Sequence, residues 1–434
     1  MVWCCIFATF LSRITLVAIL PKMRRTKIKL NMKLKLTILF TLLSVFGIAQ
    51  TPDGKKEFIT IKSDVYKTDR KITVFLPPYY EEYKNEKLNV VYVFDGQFEP
   101  LFNFVSNSIS YLSAIGEINN MIVVGIYSDD RRKEFTPMPE SEEGKAKWKI
   151  KQEFGFSNLL DKHLVNEVFP LIEKTYNVNK YRIGIGHSLG GTYLINSFAE
   201  NQKLFNSYIA VSPNLEFENN QIQNKIKKIL LESTEINAFV NVSIGNLDET
   251  ELKFTKGIKV LDTILNNSKT KGLKFRFDYL TNANHSTSPF LEIPIALLEL
   301  RKFFKKPSDE QLLEMLNNKE VDFIVELKNY YNEKSKWFGY NYLPSENEVN
   351  SLAYFCLNNK NPKESLKTIN WAIELYPNGI NLYDSKAEIL EKLNQKTEAE
   401  NVAKFALAKL EKMKNETEDY DYYKEMLEKH ITKK

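Results

Sequence analysis

Glu57 to Lys62 and Lys71 to Leu76 alternate apolar and polar side chains, the period-two pattern of half-buried strands, and predict a hairpin or meander that Pro77-Pro78 closes. Asn89 to Phe94 and Met121 to Tyr127 are nearly continuous apolar runs. Strands covered on both faces need such runs, so both are expected at the centre of a parallel sheet. Residues 98–116 between them carry helical spacing, and Phe156 to Tyr176 reads as a long amphipathic helix. Tyr181 to Ile185, Ser207 to Ser212, Ala238 to Ile244 and Lys274 to Leu280 supply four further strand runs separated by helical segments. Strands alternating with helices predict an α/β class: a mainly parallel sheet with helices on both faces.

From Ser308 the pattern changes, because glycine nearly vanishes and lysine, glutamate, asparagine and leucine dominate. The second part of the chain is therefore expected to be helical. Ala353, Ser365 and Ala372 recur about 34 residues later as Ala387, Ala399 and Ala406, with Pro377 closing the first unit. These small residues resemble the helix-crossing positions of tetratricopeptide repeats. The expected division is an α/β domain over 50–307, a helical connector over 308–345 and repeat-like helices over 346–434. Two such units bury little apolar surface alone, so they are expected to dock on the first domain or on a protein partner.

A chain of 434 residues with 43% hydrophobic side chains is long enough for two or three domains. The formal charge of +5 is misleading. Residues 1–49 hold eight lysines and arginines and no acid, which leaves the rest of the chain at about −3 and gives it no nucleic-acid footprint. Within that segment Lys33 and Lys35 precede an apolar run from Leu36 to Ile48, and Gly47-Ile48-Ala49 has the small-x-small form of a signal-peptidase site. A start at Met32, cleavage after Ala49 and a periplasmic or secreted mature protein follow as expectations. Membrane association is expected only through an uncleaved N-terminal segment. Cys356 is then the one cysteine left, with no CxxC or histidine-rich neighbour, so neither a metal nor another cofactor is expected.

The chemistry centres on Gly186-His187-Ser188-Leu189-Gly190-Gly191, which lies between a strand run and a helix run. Gly-x-Ser-x-Gly in that setting is the sharp turn that exposes a nucleophilic serine above an α/β sheet. A serine hydroxyl needs a general base, and the chain has only four histidines to offer. His187 adjoins the serine and is expected to point off the turn, His163 sits in a helix, and His430 lies near the end. His285, in the loop after the last strand run, is the expected base. Its carboxylate partner should follow the strand ending at Ile244, where Asp248 is the leading choice and Glu249 and Glu251 the alternatives. The backbone amides of Leu189 and of Gln97, in the turn Asp95-Gly96-Gln97, are the expected oxyanion donors.

Several separated pieces together resemble one family, the Putative esterase (esterase D-like) branch of the α/β-hydrolases, which includes ferric-siderophore esterases. They are Asp69-Arg70-x-Ile72-x-Val74-x-Leu76-Pro77, Val91 to Gly96, Val123 to Ile126 leading to Arg131 and Thr136-Pro137, the serine turn, Ser212-Pro213, and Asn284-His285-Ser286. The resemblance implies hydrolysis of a carboxylic ester on a small molecule or glycan through an acyl-enzyme, with Ser188 and His285 on the catalytic positions. It also implies an arginine, Arg131, near the mouth of the site. After Ser212-Pro213 this chain has Asn214-Leu215-Glu216, where siderophore-esterase-like members usually show Ser-Leu-Trp. An acyltransferase using the same residues, or an interaction module with a vestigial hydrolase domain, are the alternative readings.

Overall fold

The computed structural model describes residues 54–83, 87–414 and 419–432. The expected secretion signal lies outside them. Among the described residues, no helix is long and apolar enough to cross a membrane.

The expected strands form one eight-stranded sheet in the order β1-β2-β4-β3-β5-β6-β7-β8. β1 (Lys55–Lys62) and β2 (Asp69–Leu76) make the antiparallel hairpin, with Ile59 opposite Ile72, and β2 runs antiparallel to β4 (Met121–Ile126). From there β3 (Leu88–Phe94), β5 (Val178–His187), β6 (Ser207–Val211), β7 (Glu235–Ile244) and β8 (Lys271–Tyr279) are all parallel. Every position of β3, β4 and β6 is buried, as two-sided coverage requires. Alternate residues feed two cores. Val90, Tyr92 and Phe94 face one side, with α2 (157–175), α3 (Leu189–Glu200), α4 (Gln221–Glu232) and α5 (Glu249–Asn266). Val91, Val93 and Ile185 face the other, with α1 (Glu99–Ala114) and α6 (Ser288–Phe304).

α2 contains a π-helical turn at Leu164–Val168, between α-helical turns Ser157–His163 and Phe169–Thr175. The widened turn brings Glu167 to the β1–β2 connection, where it accepts from the Val65 N–H at 2.9 Å and the Ser63 hydroxyl at 2.6 Å. His163 is buried against the same carboxylate, 2.5 Å from Oε2, and burial lowers its pKa. Its contacts tie the hairpin to α2, far from the serine turn in sequence.

The connector is a plug rather than a spacer. Its helices α7 (Asp309–Asn317) and α8 (Phe323–Phe338) end in Trp337 and Phe338, which join the core on the α6 side of the sheet. Phe338 is fully buried, stacked on Phe304 at 4.7 Å and edge-on to Tyr181 at 5.2 Å, while the Trp337 indole donates to the Gly272 carbonyl at 3.2 Å. Upstream, Leu312, Phe323, Leu327 and Tyr331 pack instead against the helices that follow. Removing the Phe338 ring by Phe338→Ala is expected to cost about 3–5 kcal/mol, read as a lowered midpoint in denaturant unfolding.

α9 (Glu346–Asn358), α10 (Pro362–Leu375), α11 (Ile380–Lys392) and α12 (Lys396–Lys412) follow as two helical pairs, and α13 (Tyr420–Thr432) completes the helical region. The six recurring small residues are all buried. The Ser365 hydroxyl donates to the Ala353 carbonyl at 2.8 Å, so helix backbones approach closely at the recurring positions.

Candidate active site

β5 delivers Ser188 at the C-terminal edge of the sheet with φ 57° and ψ −120°, a conformation that strains any L-residue. Its N–H donates to the Val211 carbonyl at 2.9 Å, and its own carbonyl accepts from the Thr192 N–H at 2.9 Å in the first turn of α3. A methyl group on Gly186 would lie 2.4 Å from the Gly190 carbonyl carbon. Strand and helix therefore approach closely because both positions lack a side chain.

His285 arrives on the loop after β8. Its Nε2 lies 2.9 Å from the Ser188 hydroxyl and its Nδ1 2.7 Å from Glu251 Oε1. With the Nδ1 proton directed at the carboxylate, Nε2 is left to accept from the serine. Glu251 is fully buried, and its second oxygen accepts from the Ser212 hydroxyl at 3.0 Å and from the Gly245 N–H. A buried carboxylate with three donors is held rigidly in place.

The expectation of Asp248 as imidazole partner is therefore corrected. Asp248 is the N-cap of α5, with extended backbone at φ −130° that turns its carboxylate across the helix end. There it accepts from the Glu251 N–H at 2.9 Å and from the backbone N–H of His285 at 2.7 Å. These two amides hold its pKa below the ordinary aspartate value, the His285 amide most. Glu249 is exposed in the first turn. The sequence did carry a signal: an aspartate three residues before a glutamate at a helix start reads as cap and N3 residue, which assigns Asp248 to the backbone.

His187 departs from expectation as well. Its ring does not point away but lies against His285, with centroids 4.6 Å apart and planes at 42°. Burial, helped by the neighbouring imidazole, pushes its pKa down to about 4. It is thus neutral near pH 7 and places no charge beside the His285 ring. Phe254 covers His285 edge-on at 5.7 Å.

The turn after β3 is equally constrained. Asp95 has φ 62°, the Gly96 N–H is taken by the Ile126 carbonyl at 2.8 Å and the Phe98 N–H by the Asp95 carbonyl at 2.8 Å. The Gln97 N–H between them has no acceptor among the described residues. Leu189, first residue of α3, likewise has no intrahelical acceptor for its N–H. Arg131 grips Asp95 through two bonds, Nε to Oδ1 at 3.0 Å and Nη2 to Oδ2 at 2.9 Å. Burial raises the pKa of Asp95 and Arg131 opposes that rise. The arginine thus braces this turn, and its guanidinium is already engaged by a carboxylate.

Residues 63–270 match the family described as Putative esterase. The chain carries an esterase domain of that family. In fold, the esterase is similar to an IroE-like serine hydrolase from Shewanella oneidensis, at 18% identity over 74% of this chain and 100% of that one, with a TM-score of 0.56. It is also similar to an uncharacterised protein from Capnocytophaga ochracea, at 17% identity over 81% of this chain and 94% of the other, with a TM-score of 0.63. Among curated proteins, none matches the chain.

A second group of polar residues lies beside the His285 loop of the esterase, between β7, β8 and α6. Glu292 is fully buried, and its pKa is pushed up to about 8 by burial first and then by the Asp278 carboxylate, which Arg276 holds through two bonds of 2.6 Å each. Asn241 donates to the same Asp278 at 3.2 Å. The folded esterase therefore binds a proton at Glu292 that the unfolded chain releases near the ordinary glutamate pKa. This contribution to stability is complete below about pH 4.5 and is lost as pH rises toward 8. Glu292→Gln is expected to flatten that decline, as urea unfolding midpoints taken from pH 5 to 9 would show. Among the described residues, no group of three or more histidine, cysteine, aspartate or glutamate side chains is placed to hold a metal. Cys356 is buried in the helical region, which pushes its thiol up to about 12.

Proposed function

We propose that this esterase cleaves a carboxylic ester through an acyl-enzyme on Ser188, with His285 as general base and Glu251 as the acid that orients it. The observation that carries this reading is the unbroken line from Ser188 Oγ through His285 to the buried Glu251, with contacts of 2.9 and 2.7 Å. As Ser188 Oγ attacks the ester carbonyl, its proton passes to His285 Nε2, and Glu251 stabilises the imidazolium that forms. The amides of Gln97 and Leu189 receive the developing oxyanion. His285 then returns the proton to the departing alcohol, and water attacks the acyl-serine by the same route in reverse.

The substrate is proposed to be an ester on a small molecule or a glycan. Engagement of Arg131 by Asp95 and the sequence Asn214-Leu215-Glu216 do not favour a strongly anionic, catechol-rich ligand. Export is proposed from the charged flank, apolar run and small-x-small site before Gln50; N-terminal sequencing of the mature protein should begin at Gln50. A fluorophosphonate probe tests the chemistry. Labelling of the wild type that disappears in Ser188→Ala is the expected result, and equal labelling of both would overturn the assignment.

A further inference from the structure

Two loops meet at the site, one after β7 carrying the acid and one after β8 carrying the base, and their backbones are laced together. The N–H groups of Asn246 and Leu247 donate to the Ala283 carbonyl at 2.9 and 3.0 Å, and the Asn282 N–H donates to the Asn246 side chain at 3.0 Å. These bonds stop short of the reacting residues. The last one does not: Asp248 Oδ2 takes the N–H of His285 itself at 2.7 Å, while Oδ1 takes the N–H of Glu251 at 2.9 Å. One carboxylate thus spans the main chains of the two residues whose side chains meet at 2.7 Å.

Resting on the triad proposed above, we infer that Asp248 is a positioning residue that keeps base and acid in register through their backbones. It touches neither substrate nor the reacting atoms. Its two oxygens fix the Cα positions from which the imidazole and the Glu251 carboxylate reach each other. The Ser188–His285 contact inherits that placement. An ordinary helix cap would need only one of the two bonds. The second bond is what distinguishes a positioning role from a structural one.

Serine separates the two roles, because it caps helices well but is too short, and has too few acceptor oxygens, to span both amides. Asp248→Ser and Asp248→Ala should be compared with the wild type and Ser188→Ala in the full chain, using p-nitrophenyl acetate hydrolysis and thermal unfolding. Asp248→Ser is expected to keep the wild-type melting midpoint and KM while kcat falls about 10- to 100-fold. Asp248→Ala is expected to lower both kcat and the midpoint. Wild-type kcat in Asp248→Ser would overturn the inference. So would parallel loss of midpoint and kcat in both Asp248 variants, since Asp248 would then be a cap alone. Undiminished turnover in Ser188→Ala would overturn the triad and this inference with it, which separates the two failures.

Discussion

Ser188→Ala is expected to lower kcat for a nitrophenyl ester by about four orders of magnitude or more, leaving only what the oxyanion amides and substrate binding supply. The same position should show the opposite effect on stability when glycine replaces serine. At φ 57° and ψ −120° the serine occupies a backbone region that glycine adopts with little strain. Ser188→Gly should therefore be inactive yet more stable than the wild type, by about 1 kcal/mol. Turnover measured beside chemical denaturation checks both signs at once. A Ser188→Ala protein with appreciable Ser188-independent turnover would place the nucleophile elsewhere.

Glu251→Gln should lower kcat about 10²- to 10⁴-fold, and the reason is donor arithmetic. The carboxylate accepts from His285 on one oxygen and from Ser212 and Gly245 on the other. An amide has one acceptor oxygen and one donor nitrogen. If its nitrogen faces His285, the imidazole must take the wrong tautomer; if it faces Gly245 and Ser212, the Gly245 N–H meets another donor in a fully buried place. Either orientation costs activity, and the second costs stability too. Wild-type kcat in Glu251→Gln would return the acid's role to Asp248, so this measurement decides between the two carboxylates directly.

The sheet was legible because its signals are redundant. β3 and β4 are apolar at nearly every position, as strands covered on both faces require, while β1 and β2 alternate. That Ser188 and His285 would meet was legible for a different reason: the serine turn needs its glycines, and four histidines leave few choices. The carboxylate that meets His285 was harder to pick out, since three carboxylates within four residues share one polarity, and only the spacing of an aspartate cap three residues before a glutamate separates backbone work from side-chain work. His187 was misjudged because adjacency along the chain says nothing about which way a ring packs once the strand has twisted.

No helix or strand was expected over residues 128–155. The short helix Glu142–Lys151 within them is held by polar ties, such as Ser141 to Glu218 and the Glu140 N–H to Gln221, in place of an apolar stripe. The connector's role was equally hidden. Its aromatic run Trp337-Phe338, followed by Tyr340 and Tyr342, was in plain view, but sequence does not say which of two neighbouring cores such rings will enter.

That last feature decides where this chain can be cut. Tyr181, which meets Phe338, stands on β5, the same strand that six residues later ends at the elbow. A fragment stopped at residue 307 would bare Tyr181, Phe303 and Phe304 to water, so anyone wishing to borrow the catalytic half for another scaffold should carry it through Tyr342. The seam that looks like a linker on paper completes the core that backs the first half of the strand leading to the serine.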